Sequence, residues 1–325
     1  MEKLQKERDA SIDILRFIAI VGIIIAHSAP NLFFTQIRGF DVVLMVFLSA
    51  VCTKGFEKKN FNYSFYLYKR CIRLILPVWI FLVFYYVGIY LFYYLPSPSD
   101  ILSSFIFTSD LYVWIIRILV ILAMLAPVIW KYTNKFSPHM IMIILFIGFA
   151  LSEYLFNLCS SNLFDMIFMT VPYCMVYILG MTINRFNRKQ KLILAGCFFT
   201  SSIILAIYYG NKSGEFVPTS DYKYPPQFYY MSYALAVALF MWTYRKQIES
   251  FMHKINLLYF TKYVGRHTYW LYLWHIPIID IVGNKFNSFV RFSIIFMGAL
   301  ICVTIQNVIV KRFIKNKTLI SVLNG

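Results

Sequence analysis

Charge is scarce in this sequence, and acid is scarcest. Charged residues make up 14% of the 325, with 14 Asp and Glu against 31 Lys and Arg. Soluble domains carry about 25% charged residues, so there are too few here to cover a water-facing surface. Cysteine is thinly scattered. Cys52, Cys71, Cys159, Cys174, Cys197 and Cys302 form no CxxC pair, and no histidine stands near them at metal-ligand spacing, so no metal site is expected. There is no P-loop and no GxGxxG, which leaves nucleotide-driven transport without a motif. No internal repeat appears, and the longest hydrophilic stretch, GNKSGEFVPTSDYKYPP at 210–226, reads as a loop from its Gly and Pro.

What fills the chain instead is apolar and aromatic. Hydrophobic residues make up 60% and aromatics 19%, and the mean hydropathy is +0.66. The formal net charge of +17 would suggest nucleic acid in a soluble protein. Here the basic residues sit between long apolar runs, as they do at the inner ends of membrane helices. A soluble enzyme, a disordered chain and a nucleic-acid-binding domain are thereby excluded, and the lipid bilayer becomes the first partner. The fold expected is all-α, a polytopic membrane protein forming a single transmembrane domain over 1–325.

A spanning helix needs about 20 mostly apolar residues. Ten segments meet or approach this, near 12–34, 39–53, 72–95, 111–130, 139–157, 163–184, 191–209, 227–244, 267–283 and 289–310. The second is short enough to be tilted or sheltered by its neighbours. With the N-terminus inside, 24 of the 31 basic residues fall on the inner side and five in outer loops, Arg38, Lys212, Lys223, Lys285 and Arg291. Arg16 and Arg117 remain within spans. The asymmetry obeys the positive-inside rule, so about ten helices with both termini cytoplasmic are expected. The basic start and Ala26-His27-Ser28 faintly resemble a cleaved signal, but the apolar run continues beyond that point.

Charges within a span cost about 2.5–3.5 kcal/mol each on insertion scales, which makes them functional candidates. The first helix reads SIDILRFIAIVGIIIAHSAP. Arg16 and His27, eleven residues apart, project within about 20° of one another and about 16 Å apart along the axis. Asp13 stands one turn from Arg16 and can pair with it. A cation at the inner end and a titratable base toward the outer end trace a polar route, and neutral imidazole is the commonest general base. Snorkelling of Arg16 and an interhelical hydrogen bond at His27 are the plainer readings.

Further candidates follow along the chain. YLYKRCIRLILP opens the third segment with Arg70 and Arg73 at the cytoplasmic mouth, where forked guanidinium groups suit phosphate. Arg117, in YVWIIRILVIL, lies toward the outer end of the fourth segment, placed for a substrate anion or a buried pair. Asp41, in GFDVVLMVFLSA, stands where it can orient or charge-tune His27, or simply favour a helix start. His275 sits mid-span in TYWLYLWHIPII beside Trp274, either binding substrate or buried as a structural histidine. Glu153 and Asp165 flank another outer loop and are weaker candidates.

At these residues the chain resembles the membrane-bound acyltransferase family 3, the ten-helix bacterial acyltransferases. That family's first helix carries Arg or Lys, ten residues, then His, as Arg16 and His27 do here. Its Arg-x-x-Arg pair followed by Pro is matched by Arg70, Arg73 and Pro77. Its "FISG" pattern corresponds to MVFLSA, with Ala50 where Gly is usual, and its "YLWH-x-P" motif to Tyr272 through Pro277. The four matches keep their order along the chain. The capsular and exopolysaccharide O-acetyltransferases are similar in style.

The resemblance implies a bacterial cytoplasmic-membrane enzyme taking acetyl-CoA as acyl donor, with no metal. The acceptor it implies is a hydroxyl of a cell-surface polysaccharide or its lipid-linked precursor. Catalysis is then expected at His27 and Asp41, CoA phosphate binding at Arg16, Arg70 and Arg73, and substrate contacts at Arg117, His275 and Trp274. An O-succinyltransferase of the same family, and a flippase for lipid-linked oligosaccharides, are the alternatives. Oligomeric state is not legible.

Overall fold

The computed structural model describes residues 9–53, 55–57, 60–93, 95–109, 111–158 and 162–324. Lys3, Lys6, Arg8, Lys54, Lys58, Lys59 and Cys159 lie outside this range, as do the side chains of Asp165 and Lys317. Helices joined by turns and loops make up the described residues, with no strand among them.

The chain opens with α1 (Ala10–Ala26), whose first turn is capped by the Asp9 carboxylate accepting from the Ser11 N–H. Next come α2 (Leu32–Ile37), α3 (Asp41–Val51), α4 (Tyr63–Leu74), α5 (Leu76–Phe92) and α6 (Pro98–Phe105). Then follow α7 (Trp114–Thr133), α8 (Pro138–Leu158), α9 (Asn162–Thr182), α10 (Arg188–Ser213) and α11 (Phe228–Thr243). The last five are α12 (Arg245–Lys254), α13 (Leu258–Arg266), α14 (Thr268–Val282), α15 (Ser288–Phe313) and α16 (Lys317–Leu323). Asparagine caps recur where apolar stretches begin. Asn62, Asn187 and Asn287 each accept a backbone N–H three residues on, satisfying donors a helix start leaves free.

Among the described residues, seven stretches are helical, long and apolar enough to cross a membrane. The ten expected segments fall on α1, α3, α5, α7, α8, α9, α10, α11, α14 and α15, and the protein is an all-α polytopic membrane protein. Phe84, Leu91, Ile204, Ile207, Ile305 and Val308 are exposed on the bundle surface, as lipid-facing residues should be.

Three boundaries differ from the expected ones. The first segment does not run to 34. The helix ends at Ala26, Ala29 takes φ 51°, and Pro30 follows, so His27 becomes the C-cap of α1. The third segment is two helices meeting at Ile75, with Pro77 in the first turn of α5, where its missing N–H costs no intrahelical bond. The outer loop begins only at Gly214, whose left-handed φ of 79° closes α10.

The first helix is the axis of the bundle, with α3, α12, α13, α14 and α15 packed around it. Its contact with α13 is closest at Gly265, where a Cβ would stand 1.9 Å from the Asp13 carbonyl oxygen. Ala50, the residue departing from the family pattern, is fully buried at the contact of α3 with Gly180 of α9.

Candidate active site

Two clusters lie at opposite ends of α1. At the basic end, Asp13 is fully buried and takes the Arg16 guanidinium at 3.6 Å and Arg266 at 3.4 Å. Arg16 also donates to the Cys52 Sγ at 3.3 Å. The next residue, Thr53, accepts from Arg70 at 2.8 Å, and its hydroxyl lies 2.8 Å from the Tyr177 hydroxyl. The C-terminal end of α3 therefore gathers Arg16 and Arg70 from two different helices, through adjacent residues. Arg70 also stacks on Tyr66, with 5.6 Å from its guanidinium carbon to the ring centre. Arg73 is exposed on the same amphipathic helix, one turn on. Guanidinium groups so gathered suit a polyphosphate.

At the other end, His27 lines a cavity of about 330 Å³. Its floor and walls come from α1, α3, α7 and α14, with Tyr112 and Trp114 on one side and Tyr269 and Tyr272 on another. Ser220, Lys223 and Tyr224 of the 214–227 loop complete the lining. Ending α1 at Ala26 is what puts the imidazole at the cavity surface. The ring packs on Tyr112 at 4.2 Å and on His275 at 5.2 Å between centres. No hydrogen bond to its two nitrogens occurs among the described residues, which leaves a lone pair free for a proton.

Among the other expected residues, the structure brings some to this cavity and not others. Asp41 lines it, fully buried, but its carboxylate accepts from Arg38 at 3.1 Å and from the Val42 N–H at 2.6 Å. Its hydrogen bonds thus hold Arg38 and the start of α3, with none to His27 among the described residues. His275 is fully buried behind His27, its Nδ1 on the Tyr272 carbonyl and its Nε2 without a partner. That bond fixes the proton on Nδ1 and leaves Nε2 as an acceptor. Trp274 donates to Gln306 at 2.6 Å and faces a separate apolar groove between α5 and α14. Arg117 is half-buried, with its Nε unpaired, and does not line the cavity. Glu153 accepts from the Phe228 N–H at 3.0 Å, away from His27.

Arg38, Lys223, Tyr112 and Tyr224 also line the cavity, and no motif in the sequence marks them as site residues. Their signal was present, since basic residues are rare in the outer loops and two of the five meet here. The loop that brings them is firmly strapped. Gln36 accepts from both the Thr219 N–H and its hydroxyl, at 2.9 and 3.2 Å, and Tyr229 donates to the Val217 carbonyl at 2.9 Å. Burial lowers the Lys223 ammonium below the ordinary lysine range, with Asp41 opposing and Arg38 adding to the shift. Burial, with Asp41 second, pushes the Tyr224 hydroxyl up to about 12, so it stays a neutral donor at physiological pH.

A family model described as an acyltransferase domain, that of the acyltransferase 3 family, matches residues 9–309. No curated protein and no solved structure matches the chain.

Proposed function

Since the chain belongs to the acyltransferase 3 family, a family of membrane acyltransferases, we propose that it moves an acetyl group from cytoplasmic acetyl-CoA to a sugar hydroxyl at the outer face. The acceptor is a cell-surface polysaccharide or its lipid-linked precursor, and the membrane is the bacterial cytoplasmic membrane. The observation that carries this reading is the pairing along α1 of an arginine cluster at the basic end with a free imidazole in a cavity at the other.

Arg16 and Arg70, with Arg73 beside them, hold the CoA phosphates, and the pantetheine arm carries the thioester toward His27. The cavity's aromatic walls suit the faces of a sugar ring, with the Tyr224 hydroxyl as a polar contact. His27 takes the proton of the acceptor hydroxyl as its oxygen attacks the thioester carbonyl. The C–S bond breaks, and the departing CoA thiolate takes up the proton from the imidazolium. His275 packs behind the ring and limits its rotation.

The test is chemical analysis of the surface glycan for acetyl esters, in cells with the gene, without it, and with His27→Ala. Esters present only with the wild-type gene support the reading. An unchanged glycan in all three overturns it.

A further inference from the structure

The charges around the His27 cavity do not balance. Its lining holds two cations, Arg38 and Lys223, and one carboxylate, Asp41. Asp41 is already matched by Arg38, whose side chain is 12% exposed while that of Asp41 is fully buried. Lys223 is the surplus. It is 8% exposed, and no hydrogen bond or ion pair to its ammonium occurs among the described residues. The ammonium lies over the Tyr224 ring, 5.4 Å from Nζ to the centre. Arg38 also keeps a buried Nε without an acceptor. A buried cation is ordinarily paired, because its desolvation is costly.

The lysine is held in this position by its backbone. Its N–H donates to the Ser220 carbonyl at 3.2 Å, and it bridges to Pro226 across a tight turn. The Gln36 and Tyr229 contacts anchor the same loop just upstream of it, at Thr219 and Val217. A side chain that merely needed solvation would have solvent available one residue away, in an outer loop. This one is instead built into the wall that His27 shares.

We propose that Lys223 and Arg38 form an anion subsite in the His27 cavity, where a carboxylate or phosphate of the substrate binds beside the hydroxyl being acylated. The proposal rests on the acyl-transfer reading for its reacting partner, but the anion preference itself is a binding property. The anion belongs either to the acceptor, as an acidic sugar or a sugar phosphate, or to the acyl group, as the free carboxylate of a dicarboxylic acyl donor. In either case the charge fixes which hydroxyl or which acyl carbon faces the imidazole.

Calorimetric titration of the full chain in lipid nanodiscs separates these sources. One arm compares methyl β-D-glucuronide and glucose 1-phosphate with neutral methyl β-D-glucoside. The other compares succinyl-CoA with acetyl-CoA. Wild-type protein should favour the anionic member of one arm by about tenfold, the range expected for a charge-assisted contact. Lys223→Met should erase that preference, and Lys223→Arg should retain most of it. Absence of any anionic preference in wild type overturns the subsite, and so does a preference that survives in Lys223→Met. Free acetate or phosphate ion binding as tightly as the anionic sugar also overturns it, by reducing the site to a counter-ion position. CoA release is followed in parallel. If no donor–acceptor pair releases CoA while the Lys223-dependent preference persists, the acyl-transfer reading fails and the subsite stands.

Discussion

His27 is exposed to the cavity because the first helix stops one residue before it, and its ring nitrogens are free among the described residues. Replacing it by Ala should lower transfer by at least about 100-fold, the lower end of what a positioned base contributes. Acetyl-CoA affinity should stay within about twofold, since the arginine cluster proposed to hold the donor lies at the other end of α1, and calorimetry beside a CoA-release assay reads both. Arg16→Ala and Arg70→Ala should do the reverse, raising the KM for acetyl-CoA by about tenfold or more with a smaller change in kcat. Lys223 gives a pH signature of its own. Burial holds its ammonium below the unfolded lysine value of about 10.4, so between the two values the unfolded chain binds more protons. Stability therefore rises with pH across that window and is level below it, where both states carry the proton. Relative to Lys223→Met, the wild-type melting temperature should climb as the pH is raised toward about 10.4. A constant difference across that range would contradict the buried, charged lysine.

Elements hold these residues in place more tightly than the side chains themselves do. The arginine cluster depends on α13 lying against α1, and that contact is possible only because Gly265 has no side chain. Gly265→Ala would drive a methyl group into the Asp13 carbonyl, separate the helices and displace the carboxylate that Arg16 and Arg266 share. A destabilisation of about 1–3 kcal/mol is expected, with weaker acetyl-CoA binding, while Gly196→Ala, where a methyl meets nothing, should weaken neither. Thermal melting with a donor titration distinguishes the pair. At this scale the sequence was readable wherever an apolar run was long and uninterrupted, as in α7, α8 and α15. Its limits came at prolines and caps. Hydropathy carried the first and third segments through Pro30 and Pro77, because a window of apolar residues does not register a missing N–H. The one-face relation of Arg16 and His27 followed from helical spacing alone. The pairing of Asp41 with Arg38 did not, since α2 turns back on α3 through a loop whose geometry hydropathy does not encode.

Across the whole molecule, the alternation of basic residues and the packing agree. Residues counted as inner, Arg70 and Arg266, cluster with Arg16, and residues counted as outer, Arg38 and Lys223, cluster with His27. By the positive-inside rule most of the +17 charge records orientation, apart from the arginines gathered at one end of α1 and the two cations at the other. In a background free of native cysteines, Ser220→Cys should react with an impermeant maleimide from outside intact cells. Lys69→Cys should react only after the membrane is opened. Charge counting could reveal sidedness, but it could not show that Lys223, far along the chain, shares a cavity with His27. The most direct test of two clusters serving one reaction uses proteoliposomes. Radiolabelled acetyl-CoA is supplied on the Arg70 side and a surface-glycan extract on the His27 side. Wild-type protein should place label in the glycan and release CoA, and His27→Ala should do neither while still binding the donor. Full labelling by His27→Ala would contradict the assignment.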